Sequence, residues 1–143
     1  MNNRFVSSAK AKSGRKWSRG VASSEFAIVA LPLFTLLFGV IAGSLATYSY
    51  NFVCTAARDA VRYAVVHGAT SSSPATQQDI TNLVLSEASG LDPNNISVST
   101  NWQPDNKPGS SVSVQVTYNF HPLYPVAGTV LPLSSTSQMV ISY

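Results

Sequence analysis

The longest pattern in the chain is apolar. From Phe26 to Ala57 the sequence carries no charged side chain, and Phe26 to Ala46 is almost wholly hydrophobic. About 20 such residues let a helix cross the hydrocarbon of a bilayer, so the stretch predicts a membrane span. The helical pattern does not end at Ala46, because Tyr48, Phe52, Val53, Ala56, Ala57, Ala60, Val61, Ala64 and Val65 recur at helical spacing. A helix is therefore expected from about Ser24 to His67, with Ser23 or Ser24 as its N-cap and Gly68 as its C-cap. Pro32 and the pair Gly39 and Gly43 are expected to bend or loosen it. Gly39-x-x-x-Gly43 also has the small-residue spacing that lets membrane helices approach closely.

Beyond Gly68 the period changes. Ala69 to Pro74 reads as a loop, with Ser73 capping a second helix that has Pro74 at its first position. Ile80, Leu83, Val84 and Ala88 form one apolar face of that helix, and Gly90 ends it. Ile96 and Val98 then alternate with serines up to Trp102. Pro104 to Gly109 reads as a turn, and Val112, Val114, Val116, Tyr118 and Phe120 alternate strictly with polar residues. An irregular link from His121 to Pro132 leads to a third strand, Ser134 to Tyr143. The expected fold class is α+β. The outer half of the long helix and the second helix pack on a small antiparallel sheet.

Charge divides the chain further. The formal net charge is +3, yet Arg4, Lys10, Lys12, Arg15, Lys16 and Arg19 place six cations and no anion in the first twenty residues. The positive-inside rule keeps such a leader in the cytoplasm and sends the C-terminal part across the membrane. The expected organisation is a basic cytoplasmic leader (1–20), a transmembrane helix (21–46), its periplasmic continuation (47–68) and a small α+β extracytoplasmic domain (69–143). The leader runs straight into hydrophobic sequence and, Phe5 and Trp17 apart, lacks interleaved aromatics, which argues against a nucleic-acid partner. Cys54, the one cysteine, excludes an intrachain disulfide framework and reads as a small apolar helix residue. Arg58 and Arg62 lie four apart on one face, with Asp59 able to reach Arg62 or Tyr63.

Candidate chemistry is sparse. His67 and His121 are the only histidines; no metal-ligand spacing, phosphate loop or nucleophile elbow is present, and the acids are scattered singly. His67 reads as a cation at a helix C-terminus and His121 as a strand-end residue. No enzyme, metal or cofactor is expected.

One carboxylate, Glu25, stands at the edge of the apolar run. A cleaved secretory signal, with release after Ala46, accounts for the small residues of Ser44-Leu45-Ala46. Its apolar core would ordinarily be only about 7 to 15 residues, and it would not open on a glutamate. An uncleaved signal anchor carrying a periplasmic binding module fits the length but gives Glu25 no task. Gly20-Val21-Ala22-Ser23-Ser24-Glu25-Phe26 resembles the processing site of Flp/Tad-type prepilins: a glycine, four further residues, then glutamate and an aromatic. That resemblance implies a cut between Gly20 and Val21, with Glu25 and Phe26 acting in recognition and assembly, and Pro32, Gly39 and Gly43 in helix packing.

The resemblance extends along the chain. Glu25-Phe26-Ala-Ile-Val-Ala-Leu-Pro32, then Ala56-Ala57-Arg58-Asp59-Ala60-Val61-Arg62, then Val116-Thr-Tyr118-Asn-Phe120-His-Pro122-Leu-Tyr-Pro125 resemble the TadE-like pseudopilin or minor pilin family of Tad (tight adherence) pili. Thr47 to Cys54 stays uncharged and aromatic where that family carries a charged or Gly-Arg junction. Membership would imply a pilin-like fold and a single-pass bacterial inner-membrane protein that acts in pilus assembly, for adhesion or secretion, and can be incorporated into the pilus. Its implied partners are a prepilin peptidase, other pilin and pseudopilin subunits and the Tad inner-membrane assembly proteins.

Overall fold

The computed structural model describes residues 17–122 and 130–142, with side chains from Val21 onward. The leader cations Arg4 to Lys16, the 123–129 portion of the link after His121, and Tyr143 lie outside the described residues. Helix α1 is Trp17–Val66, helix α2 Gln77–Glu87, and strands β1, β2 and β3 are Ile96–Gln103, Ser111–Phe120 and Leu131–Val140. The chain divides into two compact units, Met1–Gly39 and Val40–Tyr143.

In the first unit the described residues are helical, and apolar side chains are exposed on every side. Phe26, Ile28 and Leu31 point in different directions around α1 and are 73%, 74% and 72% exposed. A helix apolar all round calls for an apolar surrounding. Ser23 and Ser24 do not cap it: the helix is already formed at Trp17, and the Ser24 hydroxyl donates to the Val21 carbonyl at 2.8 Å. Gly20 alone is too weak a breaker to start the helix after itself, and a mid-helix serine turns its hydroxyl back onto its own backbone.

The second unit is the α+β body. Its sheet is antiparallel throughout in the order β1-β2-β3. Val112, Val114, Val116 and Tyr118 of β2 are buried, as the alternation predicts. They share a core with Val53, Ala56, Ala57, Ala60, Val61 and Ala64 of α1, Ile80 and Val84 of α2, and Ile141. The fully buried α1 residues of that core are alanines and valines only, with Phe52, Tyr63 and Val65 packed at its margin. Across the other sheet face the register aligns Ser97 with Thr117, Ser99 with Gln115 and Thr136 with Gln115, a polar face without charge.

Several boundaries differ from the sequence reading. The cap of α2 is Thr76, not Ser73, and Pro74 stands outside the helix. The Thr76 side chain accepts from the Asp79 amide at 3.2 Å, and the Asp79 carboxylate accepts from the Thr76 amide at 3.0 Å, a reciprocal capping box. The Ala75 amide, held by the His67 carbonyl at 2.7 Å, fixes the chain just before that cap. Ala88 is the C-cap, and Gly90 follows at φ 75°, the left-handed turn that glycine makes without a Cβ clash. Gly109, at φ 91°, does the same before β2. Gly68 is buried beyond the end of α1, where the His67 amide bonds to Tyr63 at 3.1 Å. A short 3-10 turn, Pro93–Asn95, leads into β1, with Asp92 accepting from the Asn94 amide.

Strand β3 starts at Leu131 rather than Ser134 and includes Pro132, opposite Asn119. Proline is tolerated there because β3 is an edge strand, so a missing N–H need not interrupt a ladder. Asp59 does not pair with Arg62: among the described residues the ion pair within 4.0 Å is Lys107 with Asp105, at 3.4 Å.

Candidate functional site

The residues singled out in the sequence fall along α1. Gly20 and Val21 lie within its backbone run, Val21 about half exposed, and Glu25 follows one turn later with its side chain exposed. Residues four apart share a helix face, so Val21 and Glu25 line up on one side. Phe26 begins the exposed apolar surface, and Pro32 sits inside the helix. Lacking an N–H, Pro32 leaves the Ile28 carbonyl without its usual intrahelical donor. At Gly39 and at Gly43 a Cβ would meet nothing within 4 Å, so both positions face open space in the single chain.

Four hydroxyls along this helix are satisfied by its own backbone. Thr35, Ser44, Thr47 and Ser49 donate to the carbonyls of Leu31, Val40, Gly43 and Leu45, each four residues back, at 2.8 to 2.9 Å. Hydroxyls that bond within their own helix can enter hydrocarbon, where water cannot serve them. Phe34 and Phe38 stack one turn apart with ring centroids at 6.3 Å. The described helix from Val21 to Val66 is long and apolar enough to cross a membrane.

Residues 20–62 match the family model for the TadE-like protein family. In this segment the chain is TadE-like. No curated protein and no solved structure matches it. The TadE-like segment opens on Gly20, the glycine of the expected processing site, and closes on Arg62, the second arginine of the Ala56 to Arg62 stretch. It covers less than a third of the chain and lies wholly within α1. Such a family points to a minor pilin associated with Tad pili and with other pilus components.

The remaining residues with candidate chemistry take modest positions. His67 Nδ1 lies 3.0 Å from the Tyr63 carbonyl, and its ring stacks on Tyr63 at 4.1 Å, closing the C-terminal turn of α1. His121 is exposed at the end of β2, and Cys54 is a free, half-buried thiol on α1.

One feature of the second unit escaped the sequence reading. A groove of about 390 Å³ is lined by Tyr48, Asn51, Phe52, Thr55 and Asp59 of α1 and by Glu87 of α2. The α1 members recur at helical spacing, which could have marked a shared face. Glu87 joins them only through helix packing. Partial burial, and secondarily the charge of Asp59, push the Glu87 carboxyl above its usual range. At the rim, the Tyr48 hydroxyl donates to the Ser89 carbonyl at 2.9 Å.

Proposed function

We propose that the chain is made as a prepilin and becomes a minor pilin subunit acting in assembly of a Tad-type pilus, without catalysis. In this reading the N-terminus stays in the cytoplasm, the apolar helix crosses the inner membrane, and the α+β body lies in the periplasm. A prepilin peptidase cuts between Gly20 and Val21, so the whole apolar helix remains in the mature subunit and Glu25 becomes its fifth residue.

The observation that carries the reading is the position of Glu25: one carboxylate, one turn after Val21, at the mouth of a helix exposed and apolar on all sides. A charge there is costly. An aspartate at the centre of a membrane helix costs about 2.5 to 3.5 kcal/mol on insertion scales, and less near the interface. Cleavage supplies the compensation, because the new α-amino group of one subunit can pair with Glu25 of a neighbour among packed apolar helices. Glu25 in the first turn of the shortened helix also complements the macrodipole, by roughly 0.3 to 1 kcal/mol. The open sides of Gly39 and Gly43 then receive the helices of other pilin or pseudopilin subunits, and the Tad inner-membrane assembly proteins act on the inserted subunit.

Replacing Glu25 tests this. Glu25→Ala should leave the protein in the membrane at its normal level while piliation falls. Normal piliation with Glu25 or Gly20 replaced would refute the assembly role and leave an anchored periplasmic module.

A further inference from the structure

We propose that the groove between α1 and α2 is a docking site for a second copy of this chain, and that its occupant is the guanidinium pair Arg58 and Arg62 of the neighbouring copy. The inference rests on the pilus-subunit reading, since copies inserted in one sense present their α1 helices side by side and parallel.

The groove has the chemistry of a guanidinium site. Tyr48 and Phe52 offer aromatic faces, and Asp59 and Glu87 offer carboxylates. A guanidinium stacks on the first and donates in a fork to the second. Among the described residues of the single copy, neither acid lies within 4.0 Å of a cation. The two acids also disfavour each other's charge, since Asp59 helps to raise the Glu87 carboxyl. The site is short of positive charge.

The complementary surface is on the same helix. Arg58 and Arg62 are exposed, one turn apart, and make no ion pair within 4.0 Å among the described residues. Arg62 stands one turn from Asp59, yet that pair is not formed within the copy. Donor and acceptor are different patches, so the contact is heterologous: each copy can give its arginines to one neighbour and its groove to another. Such contacts extend in a series, as a filament requires.

The test uses two differently tagged full-length copies coexpressed in membranes, with co-purification from detergent extracts as the readout. D59K/E87K in both copies, or R58E/R62E in both, should reduce co-purification about tenfold, equivalent to roughly 1.4 kcal/mol. One copy of each variant should recover it, because the intact arginines of the first meet the intact groove of the second, and the reversed patches also match. Pairing within a copy cannot explain that recovery, since each variant makes both of its own patches the same sign. Undiminished co-purification of either variant, or loss without recovery in the mixture, would overturn the proposal.

If the charge-reversed chains do not accumulate, crosslinking decides. An E87C copy mixed with an R62C copy, both in a C54S background, should give a disulfide-linked dimer that neither copy forms alone. Monomers only would overturn the proposal. The mature N-terminus is read on the same samples: pairing without cleavage at Gly20 would fault the pilus-subunit reading and keep the groove, whereas cleavage without pairing would fault the groove alone.

Discussion

Gln77 closes the free edge of β1 beside Thr100. Its side-chain amide accepts from the Thr100 N–H at 3.0 Å and donates to the Val98 carbonyl at 3.0 Å, so one residue of α2 stands in for a neighbouring strand. Edge strands with unpaired backbone groups invite pairing with other chains. Gln77→Leu should expose those groups, lower stability by about 1 kcal/mol for the two partly exposed bonds, and speed hydrogen exchange at the Thr100 amide. An unchanged Thr100 exchange rate would show that the Gln77 bonds do not protect the edge.

The core face of α1 sets a size limit. Ala56, Ala57, Ala60 and Ala64 are buried against the sheet and α2, and Ala60 has no exposed surface. Ala60→Leu would force larger atoms into a fully buried core position, at a cost of about 1 to 3 kcal/mol. Denaturant unfolding of the full chain in micelles, followed by Trp102 fluorescence in a Trp17→Phe background, checks this. Thr55→Leu on the exposed side of the same helix should cost far less.

Acid should loosen the body through two carboxylates and spare it through a third. The Thr76 hydroxyl and amide hold the Asp79 carboxyl below its usual range, and the Ser110 hydroxyl, at 2.6 Å, with the Lys107 amide does so for Asp105. Both acids are ionised in the folded chain at pH values where the unfolded chain still binds a proton. Their stabilisation is full above the unfolded carboxylate pKa of about 3.9 and is lost as pH falls through the lower folded values. Glu87 has the opposite sign, because its raised folded pKa makes its ionisation unfavourable to folding as pH rises. Glu87→Gln should therefore stabilise the isolated subunit near pH 7, and Asp79→Asn should flatten the acid limb of the stability profile. Thr76→Ala should cost about 1 kcal/mol, as loss of a helix cap does.

The long helix and the strands were legible because burial imposes a period. One face of β2 is in the core, so Val112 to Tyr118 alternate. The outer half of α1 buries one stripe, so Val53 to Ala64 recur at helical spacing. Local chemistry without a period is less legible. Ser73-Pro74 and Thr76-Gln-Gln-Asp79 both carry start signals for α2, and a bond from Ala75 to His67, remote from either signal, accompanies the choice of Thr76. Pro132 reads as a link residue in the sequence, and only the edge position of β3, which folding sets, lets a strand include it. Gln77 at the edge of β1, and Glu87 in the groove, act across elements that only folding brings together.

The Tyr48 hydroxyl is a polar tie between α1 and the turn after α2. Tyr48→Phe keeps the ring in the groove and removes only the bond to Ser89, which is exposed, so stability should fall by no more than about 1 kcal/mol. Tyr48→Ala removes the ring as well and should weaken pairing of copies, a difference that co-purification of tagged chains would show.

The most direct measurement is the first residue of the mature, membrane-extracted protein, by intact mass or N-terminal sequencing. The pilus-subunit account requires a chain that begins at Val21, with Glu25 at its fifth position. A chain that begins at Thr47 would be a released domain, and one that keeps its basic leader would be an anchored module; either would contradict the account.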